Sequence, residues 1–146
     1  MRRGRDRLGR PVPLDSPDVV PEVPEQALPD ADALALAQAL LREGRAFNAH
    51  EVLEASWKAA APERRELWQG LAQVCVGATH LQRGNLVGAV RLLHRGVSRL
   101  EGFPEAAGVR AWALGLAEEV SDGRVQGGDV DAPWRGRGGP LVLPDL

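Results

Sequence analysis

The sequence predicts an all-α fold, a single compact array of about five helices with short antiparallel connections, and three observations lead there. Apolar residues recur at three- and four-residue intervals through residues 30–121, the spacing that gathers them on one face of a helix. Glycines, prolines and capping residues break that stretch at helix-length intervals, and no strand-like alternation competes. The chain has 146 residues, enough to close one hydrophobic core and hard to divide between two.

Residues 1–29 carry Arg2, Arg3, Arg5, Arg7 and Arg10 and then a series of prolines, a composition that favours an extended, poorly packed tail. After Pro29, Asp30 is a candidate N-cap for a first helix that ends at Gly44. A second helix is expected from about Ala46 to Ala60. Pro62 suits the first turn of a third, which runs to Arg83 and stops at Gly84, about 22 residues or roughly 33 Å at the standard rise. Asn85 can cap a fourth helix whose Leu86, Ala89, Val90, Leu93, Val97 and Leu100 share one face. Its spacing of a turn glycine, small residues and leucines also resembles one helix of a tetratricopeptide repeat, but no second copy follows at a fixed period. Pro104 opens a fifth helix ending near Gly123, and residues 122–146, rich in glycine and proline, form a second tail with a short apolar run at 141–143 that could strap back.

Charge and composition exclude more than they assign. A formal net charge of −2 argues against a protein-wide attraction to nucleic acid or membrane surface. No run reaches the roughly 18 apolar residues that span a bilayer, and the basic start leads into prolines and acids, so a cytoplasmic location is expected. The one cysteine, Cys75, lies in an apolar stretch and reads as a small buried hydrophobe.

Candidate chemistry concentrates on the two central helices. At 100° per residue, His50, Leu53 and Trp57 point almost the same way, with Phe47 and Glu54 at the flank, which predicts an inward His50. Glu51 and Lys58 fall toward water. The third helix has a main apolar stripe of Leu67, Leu71, Val74, Cys75, Ala78 and Leu81 and a second stripe of Gln69, Gln73 and His80. Gly70 and Gly77 border that second stripe and would let another helix come close. The economical arrangement turns this stripe toward His50 and Glu54, so that each buried polar group finds a hydrogen bond.

The segments Phe47-Asn48-Ala49-His50-Glu51-Val52-Leu53-Glu54-Ala55-Ser56-Trp57, Gln69-Gly70-Leu71, His80-Leu81-Gln82-Arg83-Gly84-Asn85 and Gly88-Ala89-Val90 resemble the bacterial and archaeal family catalogued as domain of unknown function 309. The resemblance covers about residues 46–100. It marks His50, Glu51, Glu54, Trp57, Gln69, Gly70, His80, Gly84, Asn85, Gly88 and Ala89, and it implies an all-helical fold without an established activity. Thr79 stands where the family pattern would have an aromatic residue, commonly tyrosine.

Two function classes follow. In the first, His50, Glu54, Gln69, Gln73 and His80 form a structural polar network inside a non-enzymatic binding module that meets a protein or small-molecule partner or self-associates. In the second, His50, Glu54 and His80 bind a metal or run a small enzyme, because histidine four residues before glutamate places both on one face. Neither the zinc-protease helix nor the repeated Glu-x-x-His of di-iron bundles is matched, and no cofactor is implied. Trp57, Trp68 and Trp112 read as core anchors, and Gly84 with Asn85 as a helix stop and start. The basic face of Arg91, His94, Arg95 and Arg99 lacks the interleaved aromatics of a nucleic-acid surface, which makes nucleic acid an improbable partner.

Overall fold

The computed structural model describes residues 3–125. Five helices follow one another: α1 (Asp30–Arg42), α2 (Ala46–Ala59), α3 (Arg65–Gln82), α4 (Leu86–Arg99) and α5 (Ala107–Ser121). Each packs on the next, and α3, laid between α2 and α4, forms the centre. The expected all-α class holds, and Leu67, Trp68, Leu71, Val74, Cys75, Ala78 and Leu81 of α3 are all buried in one continuous core.

The helix ends differ from the sequence reading in ways that backbone chemistry explains. Pro62 and Pro104 each open a single 3-10 turn, Pro62–Arg64 and Pro104–Ala106, and the α-helices start behind them. The tight turn uses a residue with no N–H to donate, so α3 has 18 residues, fewer than expected. Pro29 occupies the cap position of α1 and no side chain caps it. Asp30 and Asp32 instead sit in the first turn, where their charge complements the helix dipole. Asn85 caps α4 as expected, its side chain accepting the Gly88 N–H at 3.0 Å.

Gly70 and Gly77 do admit a neighbouring helix, and that helix is α4. A Cβ on Gly77 would come within 2.8 Å of Leu93, one on Gly70 within 2.8 Å of Leu100, and one on Gly96 within 2.9 Å of the Gly70 carbonyl. Close backbone approach at these points turns the second stripe of α3 toward α4.

Ahead of the helices, where composition suggested loosely packed chain, β1 (Arg3–Arg5) and β2 (Pro11–Pro13) form an antiparallel hairpin with Arg5 opposite Pro11. Asp6 closes its turn by accepting the N–H groups of Leu8 and Arg10, each at 2.9 Å. The hairpin docks on the start of α2. Gly9 lies so close to Phe47 that a Cβ would stand 2.4 Å from the ring. Farther along, Arg45 donates to the Pro21 carbonyl at 2.7 Å and Val23 and Leu28 rest against the core. The expected apolar strap at 141–143, together with Trp134, lies outside the described residues. Among the described residues no helix is long and apolar enough to cross a membrane.

Candidate functional site

The polar side chains expected to meet in one cluster are found in three separate places. On α2, His50 Nε2 lies 2.9 Å from Glu54 Oε2, and Lys58 Nζ lies 2.8 Å from Glu54 Oε1. Between α3 and α4, Gln73 Oε1 accepts from Arg99 Nε at 3.0 Å, and Arg99 also binds Glu66 at 2.9 Å. At the α3–α4 turn, His80 Nδ1 pairs with Asn85 Nδ2 at 3.1 Å. The glycine contacts explain the division, since the face of α3 that carries Gln73 and His80 is drawn onto α4. Gln69 is half-buried beside Gly70.

His50 is not fully inside. Its side chain is 21% exposed and Glu54 is 34% exposed, at the rim of the core that Leu53 fills from the same helix. Trp57 is partly buried against that core, and Trp68, at 1% exposure, is the full anchor. Glu51 accepts from Asn48 Nδ2 at 2.9 Å, and Asn48 in turn accepts from Arg45 Nε at 3.0 Å. Asn48 is buried, as is Gln82, whose Nε2 donates to the Gly44 carbonyl at 3.0 Å and ties the α1–α2 turn to the end of α3. Neither was singled out from the sequence. The available signal was a polar residue on an otherwise apolar arc. Thr79 fills the expected aromatic position by donating its hydroxyl to the Cys75 carbonyl at 2.9 Å within α3.

Electrostatics follow these pairings. The Lys58 ammonium, with help from His50, holds the Glu54 carboxyl below its usual range against an opposing push from burial. Burial, with the nearby Arg83 guanidinium, lowers the pKa of His80, so that its neutral form is favoured. Burial pushes the Cys75 thiol up to about 12, which makes it inert.

The second nitrogen of His50 is closed off. With Nε2 donating to Glu54, the working lone pair of His50 is on Nδ1, and that atom is buried and has no hydrogen-bond partner. The Phe47 ring leans against the imidazole at a centroid separation of 5.7 Å. Among the described residues no three histidine, cysteine or carboxylate side chains are grouped to hold a metal ion. Open space adjoins α2: a cleft of about 720 Å³ between Asn48, Glu51 and the N-terminal segment, and a smaller one of about 200 Å³ bordered by Glu51, Glu54 and Lys58.

Residues 34–92 match the model of a family described as a domain of unknown function (DUF309). The segment from α1 into α4 is similar to that family. The chain is also 38% identical over 56 residues to the uncharacterized protein YpuF of Bacillus subtilis (strain 168), a stretch that covers 38% of this chain and 32% of the relative. It therefore spans about a third of that relative's length. No solved structure matches. The DUF309 match begins inside α1 and ends inside α4, so the hairpin lies outside it.

The geometry gives several DUF309-like positions a packing role. Gly88 accommodates the Asn85 cap, whose Nδ2 would stand 2.5 Å from a Cβ there. Gly84 adopts a left-handed φ of 85° to end α3, and Gly70 and Ala89 lie buried in helix packing.

Proposed function

We propose that this protein is a non-enzymatic binding module, in which the DUF309 helices are the scaffold and the cleft between α2 and the N-terminal segment receives a protein or small-molecule partner. The sealed Nδ1 of His50 is the observation that carries this reading. A histidine oriented by a carboxylate acts as a base through its other nitrogen, which must reach the substrate directly or through one water. Here the carboxylate takes Nε2, and the remaining nitrogen is buried. The separate engagement of Gln73 by Arg99 and of His80 by Asn85 supports the same view, because neither is aimed at His50.

Native mass spectrometry and elemental analysis of full-length protein purified without an affinity tag test the reading. Binding of a co-purified or screened ligand should survive His50→Ala and be lost on Glu51→Lys, which changes the cleft wall. One equivalent of a transition metal that disappears on His50→Ala or Glu54→Gln would replace the module with a metal site.

A further inference from the structure

We infer that Arg5 and Arg83, brought together by the docked hairpin, form a binding site for a phosphate group. The inference rests on the binding-module reading and deepens it by naming a ligand class, since Arg5 also lines the cleft of that reading.

Several observations converge on these two guanidinium groups. Both lie over the Phe47 ring, with Cζ at 5.6 Å from the centroid for Arg5 and 5.7 Å for Arg83. Both are anchored by consecutive carbonyls of the hairpin turn: Arg5 Nη1 donates to Gly9 O at 2.6 Å, and Arg83 Nε donates to Leu8 O at 2.8 Å, with Nη2 on the same oxygen. These acceptors are neutral. Arg45, Arg64, Arg99, Arg110 and Arg124 each have a carboxylate within 4 Å, whereas Arg5 and Arg83 have none among the described residues. Asp6, the adjacent acid, spends Oδ1 on the turn amides.

The result is a pair of fixed, solvent-exposed and uncompensated cations. Two positive charges held beside one ring repel each other, and an oxyanion bound by the N–H groups that the carbonyls leave free would offset that repulsion. The planar guanidinium fork matches phosphate geometry, and anchoring by ring and carbonyl removes much of the ordering cost of binding. Arg7 and Arg10, exposed on the same turn, add to a local positive field in a chain whose net charge is −2. Because one arginine comes from the hairpin and the other from the end of α3, the site exists only while the hairpin is docked. Phosphate binding must therefore stabilise docking.

Calorimetric titration of the full chain with sodium phosphate, against sodium chloride at matched ionic strength, tests the site. Saturable binding to phosphate and none to chloride is expected, with affinity reduced tenfold or more in Arg83→Gln and in Arg5→Gln and changed less than twofold in Arg91→Gln. Wild-type binding no different from chloride, or an equal loss at Arg91, would overturn the proposal. Because Arg83→Gln also removes an anchor of the hairpin, the wild type supplies an independent readout. Phosphate should shift the NMR signals of the Arg5 and Arg83 Nε–H groups saturably and leave Arg91 and Arg95 in place, whereas uniform or absent shifts would reject the site. A mononucleotide and a short single-stranded oligonucleotide then separate the two sources of phosphate. Affinity that rises tenfold or more with strand length assigns it to nucleic-acid backbone, and equal affinity assigns it to a small phosphorylated ligand. A negative result removes phosphate as the ligand class, while the cleft reading is judged by loss of ligand binding in Glu51→Lys, so the two proposals fail separately.

Discussion

The His50–Glu54–Lys58 chain consists of i,i+4 contacts on a half-exposed helix face, and such pairs stabilise by only a few tenths of a kcal/mol each. His50→Ala also removes the ring's contact with Phe47, so it is expected to cost about 1 kcal/mol in urea unfolding, well short of the loss from emptying a core site. The pH dependence has two components. Glu54, with its folded pKa below the usual value of 4.5, contributes stability that is complete above that value and lost as pH falls through the lower folded value. His80, also lowered, is neutral in the fold while the unfolded chain takes up a proton below 6.5, so its contribution is complete above 6.5 and declines as pH falls toward its folded value. Urea midpoints followed from pH 7 down to about pH 3 should lose the upper component in His80→Gln and the lower one in Glu54→Gln. Cys75, with its thiol pushed up to about 12, should resist thiol reagents until the protein unfolds.

At the scale of elements, helix packing is decided by where backbones can approach. Gly77→Ala would drive a methyl into Leu93 and its backbone nitrogen at 3.1 Å, an overpacking expected to cost about 1–3 kcal/mol. Gly108→Ala meets nothing within 4 Å and should be neutral or stabilising by up to about 1 kcal/mol, so thermal melts of the two variants should move in opposite directions or differ widely. All five helices were legible in the sequence because periodicity and punctuation are local properties. The Asn85 cap was legible for the same reason. Partner choice was not: periodicity put Gln73 and His80 on a stripe beside Gly70 and Gly77, but which helix would fill that groove depends on tertiary packing. Assigning the groove to α2 gave a single polar cluster, and its occupation by α4 divides that cluster.

Considered as a whole, the molecule is a helical array with a basic hairpin clamped on one end. Arginines and prolines concealed that hairpin in the sequence, because neither signals a strand, and its docking depends on Gly9 reaching Phe47 and on Arg83 reaching Leu8 across the fold. Gly9→Val, which adds bulk at a φ of 79° and against the ring, should release the hairpin. Hydrogen exchange should then accelerate at the amides of residues 4–13 and stay unchanged in α3.

The separation of His50 from the α3–α4 interface is the central structural claim behind the binding-module reading, and a double-mutant cycle between His50→Ala and Gln73→Ala tests it most directly. Side chains engaged with different partners should give additive losses in unfolding free energy, with a coupling within about 0.5 kcal/mol of zero, while the Gln73–Arg99 cycle in the same protein shows a clear coupling. A His50–Gln73 coupling of about 1 kcal/mol or more would place both side chains in one network and contradict the account.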